Sequence, residues 1–213
     1  MPGAEGARPG AEEKTVKAAE RDREDVAEAR AAWRAELAGV DPARLVFIDE
    51  TGIDTRTCAR ASNGERATGK VPWGRRERLT VIGALGLDGV VASRGVAAAT
   101  GTAVFLAFAE EVLIPALRDR PDALVVMDDL GAHKAEKVRG ALDRAGLGHR
   151  YLPSYSPDMN PIEQAWSKLK TRLRAVGARS KEALEAALGP ALAAITAQDA
   201  RGWFRLAGYP AAE

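Results

Sequence analysis

The sequence predicts an α/β fold in which a mixed β-sheet is flanked by helices. Three observations carry that expectation. Short apolar runs, Leu45-Val46-Phe47-Ile48 and Ala123 to Met127, read as buried strands. Two apolar segments flank Gly86-Leu87-Asp88-Gly89, and the Asp-Gly pair signals antiparallel strands joined by a tight turn. The order strand, hairpin strands, helix, strand, helix, strand, helix suits a mixed sheet covered on its faces.

Taken in order, residues 1–12 are rich in Gly, Ala, Pro and Glu and are expected to be disordered. Residues 13–40 form a helical linker, because Ala, Glu, Arg and Lys dominate from Glu13 to Ala38 and Gly39 stops the helix. The main domain is expected over 41–179. Its first strand ends at Asp49, and the polar, Gly-rich, basic stretch 51–78 is a loop or ragged hairpin. Leu79 to Leu85 and Val90 to Val96 are the hairpin strands. Val104, Phe105, Phe108, Val112 and Leu113 have helical spacing and predict a helix from Thr102 to Leu117. A strand ends at Met127, a helix covers Lys134 to Ala145, and a short strand covers His149 to Leu152. A helix runs from Pro161 to about Val176, and residues 180–213 form a C-terminal helical segment led by an Ala-rich helix from Lys181 to Ala197.

Composition excludes several classes. At 213 residues, 46% hydrophobic and 29% charged, the chain reads as one soluble domain with an appendage. No apolar run approaches the roughly 18 residues of a membrane span, and the N-terminus lacks the apolar core of a signal peptide. Cys58 is the single cysteine, which leaves no disulfide framework and no cysteine-based zinc site. The expected compartment is the cytoplasm. The absence of a P-loop argues against ATP hydrolysis, and Ser154 and Ser156 lack a nucleophile elbow.

Three acids stand out. Asp49 in LVFIDETG and Asp128 in LVVMDDLGAHK fall where strands are expected to end, where ligands gather in such sheets. Glu163 falls in the first turn of a helix, after the proline-punctuated YLPSYSPDMNP. Carboxylates from three separate elements are what a two-metal phosphoryl-transfer site requires. Magnesium suits such a set, since it is held by a few carboxylates plus water and phosphate. Glu163 has a second reading as the N3 acid of a capping box led by Asn160 and Pro161. His133 could contact a scissile phosphate or cap the following helix, and the sequence leaves both open.

Net charge is only +1, but its distribution is uneven. Residues 56–78 carry Arg56, Arg60, Arg66, Lys70, Arg75, Arg76 and Arg78 against Glu65 and Glu77. With Trp73 among them, these residues could track a phosphate backbone and stack on a base; the alternative is a solvated loop. After Glu163, Lys170 and Arg174 share one i,i+4 face and Lys168 and Arg172 another, while Trp166, Leu169 and Leu173 read as the buried stripe.

Together, LVFIDETG, LVVMDDLGAHK and YLPSYSPDMNPIEQAWSKLK resemble the catalytic domain of insertion-sequence 630 type transposases, of the mariner-like DDE superfamily. The resemblance runs from about Arg21 to Tyr209. It implies an RNase H-like fold with an N-terminal helical extension. It also implies a site of Asp49, Asp128 and Glu163 that holds two Mg²⁺ ions, or Mn²⁺ as a substitute. The implied activity is cutting at transposon ends and joining the freed 3′ hydroxyl to target DNA, usually at TA, by a homodimer or larger assembly. Three departures bear on this. No room is evident before Asp49 for helix-turn-helix modules, which would make the chain a catalytic half or a non-cutting DNA- or partner-binding remnant. Asp129 stands where the family has Asn. The 57–80 loop and GWFRLAGY diverge. Another RNase H-like nuclease, such as a junction resolvase, is a third reading.

Overall fold

The computed structural model describes residues 19–55 and 77–210. The expectations for residues 1–12, for Cys58 and for the basic loop with Arg56, Arg60, Arg66, Lys70, Trp73, Arg75 and Arg76 lie outside them. The sheet contains β1 (Leu45–Asp54), β2 (Arg78–Gly86), β3 (Gly89–Val96), β4 (Leu124–Met127) and β5 (Gly148–Tyr151), in the order β3-β2-β1-β4-β5. β1–β2 and β2–β3 pair antiparallel, whereas β1–β4 and β4–β5 pair parallel. The hairpin turns at Leu87-Asp88, and Gly89 adopts φ 117, a conformation that glycine enters without Cβ strain.

Around the sheet lie α1 (Glu24–Leu37), α2 (Thr102–Phe108), α3 (Ile114–Ala116), α4 (Glu136–Arg144), α5 (Ile162–Val176), α6 (Lys181–Ala193) and α7 (Ala197–Leu206). Alternation along the strands sorts the core into two layers. Leu45, Phe47, Ile53, Val81 and Val126 face one way, against α1, α5, α6 and α7 through residues such as Trp33, Trp166, Leu188 and Phe204. Val46, Ile48, Ile82, Val125 and Met127 face the other way, against Phe105, Phe108, Leu113, Val138 and Leu142. The expected buried stripe of α5 is present: Trp166, Leu169 and Leu173 are all buried. No helix of the described residues is long and apolar enough to cross a membrane.

Four elements differ from the sequence expectation. The helix expected from Glu13 to Ala38 is not continuous within the described residues: Ala19–Asp22 form a 3-10 turn, Arg23 is extended, and α1 begins at Glu24. β1 does not end at Asp49 but continues to Asp54, because Glu50 to Asp54 stay paired with Ile82 to Arg78. The helix expected over Thr102 to Leu117 contains a π-helical segment, Ala109–Leu113, between α2 and α3. The helix expected over Lys181 to Ala197 breaks after Ala193, and α7 starts afresh. Thr196 caps it: its hydroxyl accepts from Asp199 N while Asp199 accepts from Thr196 N, a reciprocal capping box.

Candidate active site

The site grows out of where β1 loses a neighbour. β1 pairs with β4 only from Leu45 to Phe47, opposite Leu124 to Val126. Two residues on, Asp49 is bordered by β2 on one side and by the open end of β4 on the other. Asp128 follows the last residue of β4, and Glu163 lies in the first turn of α5. All three acids line one cavity of about 340 Å³. A second cavity, about 480 Å³, shares Asp49 and Leu130 with it and extends toward Arg78 and Thr80 on β2.

Strand alternation gives the consecutive acids Asp49 and Glu50 opposite surroundings. Asp49 shares the face of Phe47 and accepts a hydrogen bond from the indole Nε1–H of Trp166, on α5, at 3.0 Å. Glu50 shares the face of Ile48 and meets His133 Nε2 at 3.0 Å. The other ring nitrogen, Nδ1, lies 2.5 Å from Asp128 Oδ1, which also accepts from Leu130 N at 3.2 Å. The imidazole is fully buried, with its ring centroid 4.1 Å from that of Phe105. Burial alone would push its pKa down; the Asp128 and Glu50 carboxylates outweigh burial and raise it to about 9. His133 therefore serves as a buried cation between two acids. Direct contact with nucleic acid, one of its two sequence readings, does not fit this burial, and neither does a capping role.

The acids repel one another. Burial, and then the charge of Glu163, push the Asp49 carboxyl up to about 7. Glu163 is also raised, by burial and by Asp128, against the opposing pull of Lys170. The capping box expected at the head of α5 is not formed: the helix starts without a side-chain cap, and the buried Asn160 Oδ1 has no donor among the described residues. Glu163 instead lines the cavity. Asp129 lines it as well, but its charge is paired with Lys134, and Ser154 Oγ donates to it at 3.3 Å.

Among the described residues no three acids or histidines are clustered tightly enough to form a ready-made metal cage. The donor chemistry nevertheless fits a hard divalent cation. Three carboxylates and an unpartnered amide oxygen surround one open space, and the rise at Asp49 comes from burial and then from the neighbouring charge of Glu163, which a cation would offset.

The four basic residues of α5 separate. Lys170 and Arg174 border Gly52 to Asp54 of β1 on the flank next to Glu163. Arg172 lies on a different flank, beside Gln164, Thr171 and Trp203. Lys168, expected to contact DNA, is ion-paired with the capping Asp199 of α7. That pairing gives it a structural task as well, while it shares with Arg172 the flank that their i,i+4 spacing predicts. The sequence does not mark Glu50 or Ser156 as functional residues, and the only signal for Glu50 is its place beside Asp49 on the alternating strand.

A mixed five-stranded sheet in this order, flanked by helices, is an RNase H-like catalytic fold. The chain belongs to the DDE superfamily endonuclease family, whose pattern matches residues 44–185. Solved structures place it beside Mos1 transposase. The Mos1 paired-end complex with left transposon end superposes with TM-score 0.69 at 19% identity, over 99% of this chain and 63% of that chain. The catalytic domain of Mos1 mariner transposase gives TM-score 0.69 at 18% identity, over 91% and 92% of the two chains. The Mos1 mariner paired-end complex with Mn gives TM-score 0.69 at 20% identity, over 93% and 64%. At such identities the likeness establishes the fold. The chain thus spans 63% of the transposase chain in the first of these complexes. No curated protein matches the sequence.

Proposed function

We propose that this chain performs metal-dependent DNA strand cleavage and strand transfer, as the catalytic domain of an insertion-sequence 630 type transposase. The observation that carries the reading is the shared cavity of Asp49, Asp128 and Glu163, contributed by β1, the end of β4 and the head of α5. These three residues would hold two Mg²⁺ ions, with Mn²⁺ as a substitute. When bound, such ions activate the attacking oxygen and stabilise the leaving one. The residues around the acids have separable tasks. Trp166 and His133 fix the carboxylates of Asp49 and Asp128. Lys170 brings positive charge toward Glu163, and Arg174, one turn further along α5, extends it on the flank where a phosphate backbone would run. Leu130 and Tyr155 are unusually exposed for large hydrophobic side chains, at 52% and 47%, and both stand at the cavity wall. Tyr155 also has φ 56, a left-handed conformation that few non-glycine residues adopt outside functional segments. An exposed ring there suits stacking on a base.

Transposon-end DNA as substrate, TA as target and a homodimer as the working form belong to the same proposal. The Mos1 complexes with transposon ends support the first of these. A non-cutting remnant is disfavoured by the intact acids, and the extra charge of Asp129 is matched by Lys134. The test is nicking of supercoiled plasmid at low salt, where phosphate contacts are strongest. Nicked circles are expected with Mg²⁺ or Mn²⁺ and none with EDTA. Folded protein that leaves the plasmid intact under every condition, including with paired transposon ends supplied, would overturn the reading.

A further inference from the structure

We propose that Trp166 is a positioning residue for Asp49, and that Gly83 exists to let it reach. The inference rests on the metal-dependent reading of the site and assigns a task to a residue that the apolar pattern of α5 presents only as core.

Trp166 sits on α5 one turn after Glu163, is 3% exposed, and packs among Phe47, Val81 and Leu169 on the α5 side of the sheet. Its single polar side-chain atom, Nε1, donates to Asp49 Oδ2 at 3.0 Å. A buried indole needs such an acceptor, and this one is a carboxylate of the candidate metal set. The bond engages Oδ2 and fixes the orientation of the carboxylate. It also ties β1 to the helix that carries Glu163, so two of the three acids are held in mutual register by one side chain.

The approach has a steric condition. Gly83 on β2 is the register partner of Asp49. A Cβ at Gly83 would stand 2.5 Å from Trp166 Cη2 and 3.2 Å from Cζ2, closer than packed atoms come. A glycine inside a central strand weakens it unless something approaches closely; here the approaching group is the ring that reaches Asp49. Asp128 is fixed in a comparable way by His133 and Leu130 N. Glu163, which lines the same cavity from the first turn of α5, is not tied by either of these contacts and is the ligand with most room to adjust.

Groups that orient a metal-binding side chain without touching the metal typically change affinity 10–100-fold when removed. Trp166→Phe keeps the buried ring and deletes the donor. In a titration of Mn²⁺ followed by the electron paramagnetic resonance of the free ion, Trp166→Phe is expected to bind at least about tenfold more weakly than the unaltered protein, while its circular dichroism shows that it remains folded, at a lower thermal midpoint set by the cavity the smaller ring leaves. A second measurement does not depend on that variant folding. In ¹⁵N-labelled protein, Asp49→Asn should shift one indole N–H resonance, and Mg²⁺ added to the unaltered protein should shift the same one. Unchanged Mn²⁺ affinity in folded Trp166→Phe, or an Mg²⁺ titration that moves none of the indole resonances, would overturn the assignment. Unaltered protein that takes up no Mn²⁺ at all would overturn the metal reading itself, and the role of Trp166 with it.

Discussion

Replacing Asp49 by Asn is expected to lower metal-dependent cleavage by roughly 10²–10³-fold or more, the scale on which one charged transition-state stabiliser is missed, and yet to stabilise the metal-free protein at neutral and alkaline pH. Both effects follow from the carboxyl's surroundings. Burial and the charge of Glu163 push it up to about 7, from an ordinary value of 3.8. Between those two values the native state holds a proton that the unfolded chain has already released. The contribution of Asp49 to stability is therefore greatest in acid, declines as pH rises through about 4 to 7, and is gone above 7. A tenfold change in a proton-binding equilibrium corresponds to about 1.4 kcal/mol, so the cost at pH 8 is on the order of a few kcal/mol, reduced by the solvent that reaches the cavity. Asparagine is isosteric, still accepts from Trp166 Nε1, and cannot ionise. A domain of this size gains roughly 2–4 °C in thermal midpoint for each kcal/mol. Thermal scans of both proteins in EDTA at pH 4 and pH 8 check the sign: the variant should gain at pH 8 and gain little at pH 4. A midpoint at pH 8 below that of the unaltered protein would contradict the account.

The second large effect is expected at Arg30. This residue of α1 is only 4% exposed. Its Nη1 donates to Ser156 Oγ at 2.7 Å and to Asp158 Oδ1 at 3.0 Å, and its Nη2 donates to Asp158 Oδ2 at 2.7 Å. The guanidinium fork thus grips the loop that ends at Glu163. Beside it, Trp33 Nε1 donates to Tyr209 Oη, which donates to the carbonyl of Met159 in the same loop. Arg30→Met keeps the apolar stem but removes the fork. Asp158 is 41% exposed and keeps its solvent when the fork is removed, so the loss is that of charge-assisted hydrogen bonds, about 1.5–3 kcal/mol, and denaturant unfolding should show it. Arg30→Lys restores charge without the two-pronged geometry and should recover only part of it. A cost below about 0.5 kcal/mol for Arg30→Met, the range of an ordinary surface change, would show that α1 does not secure the loop.

These residues also mark how far the sequence can be read. The short apolar runs locate β1 and β4, and with them Asp49 and Asp128, because a buried strand has few other ways to look. Alternation then separates Asp49 from Glu50, yet nothing local reveals that Glu50 meets a histidine 83 residues away. Trp166 is legible as core because its spacing with Leu169 and Leu173 is helical; its indole N–H bond spans 117 residues and leaves no periodic trace. Arg30 lies among alanines and acids, where an arginine ordinarily faces water, and only partners 126 and 128 residues away account for its burial. The break before α7 is signalled by Thr196-x-x-Asp199, a capping pattern masked by the continuous run of helix formers around it.

The central claim is that Asp49, Asp128 and Glu163 jointly hold divalent cations. The most direct measurement is anomalous scattering from crystals soaked in Mn²⁺. The account predicts a peak in the cavity between the three carboxylates, within about 2.0–2.3 Å of an oxygen of each acid it touches, the range of hard-cation contacts, and loss of that peak in Asp49→Asn. Manganese bound elsewhere while this cavity shows none, or a peak at the acids that survives Asp49→Asn unchanged, would contradict it.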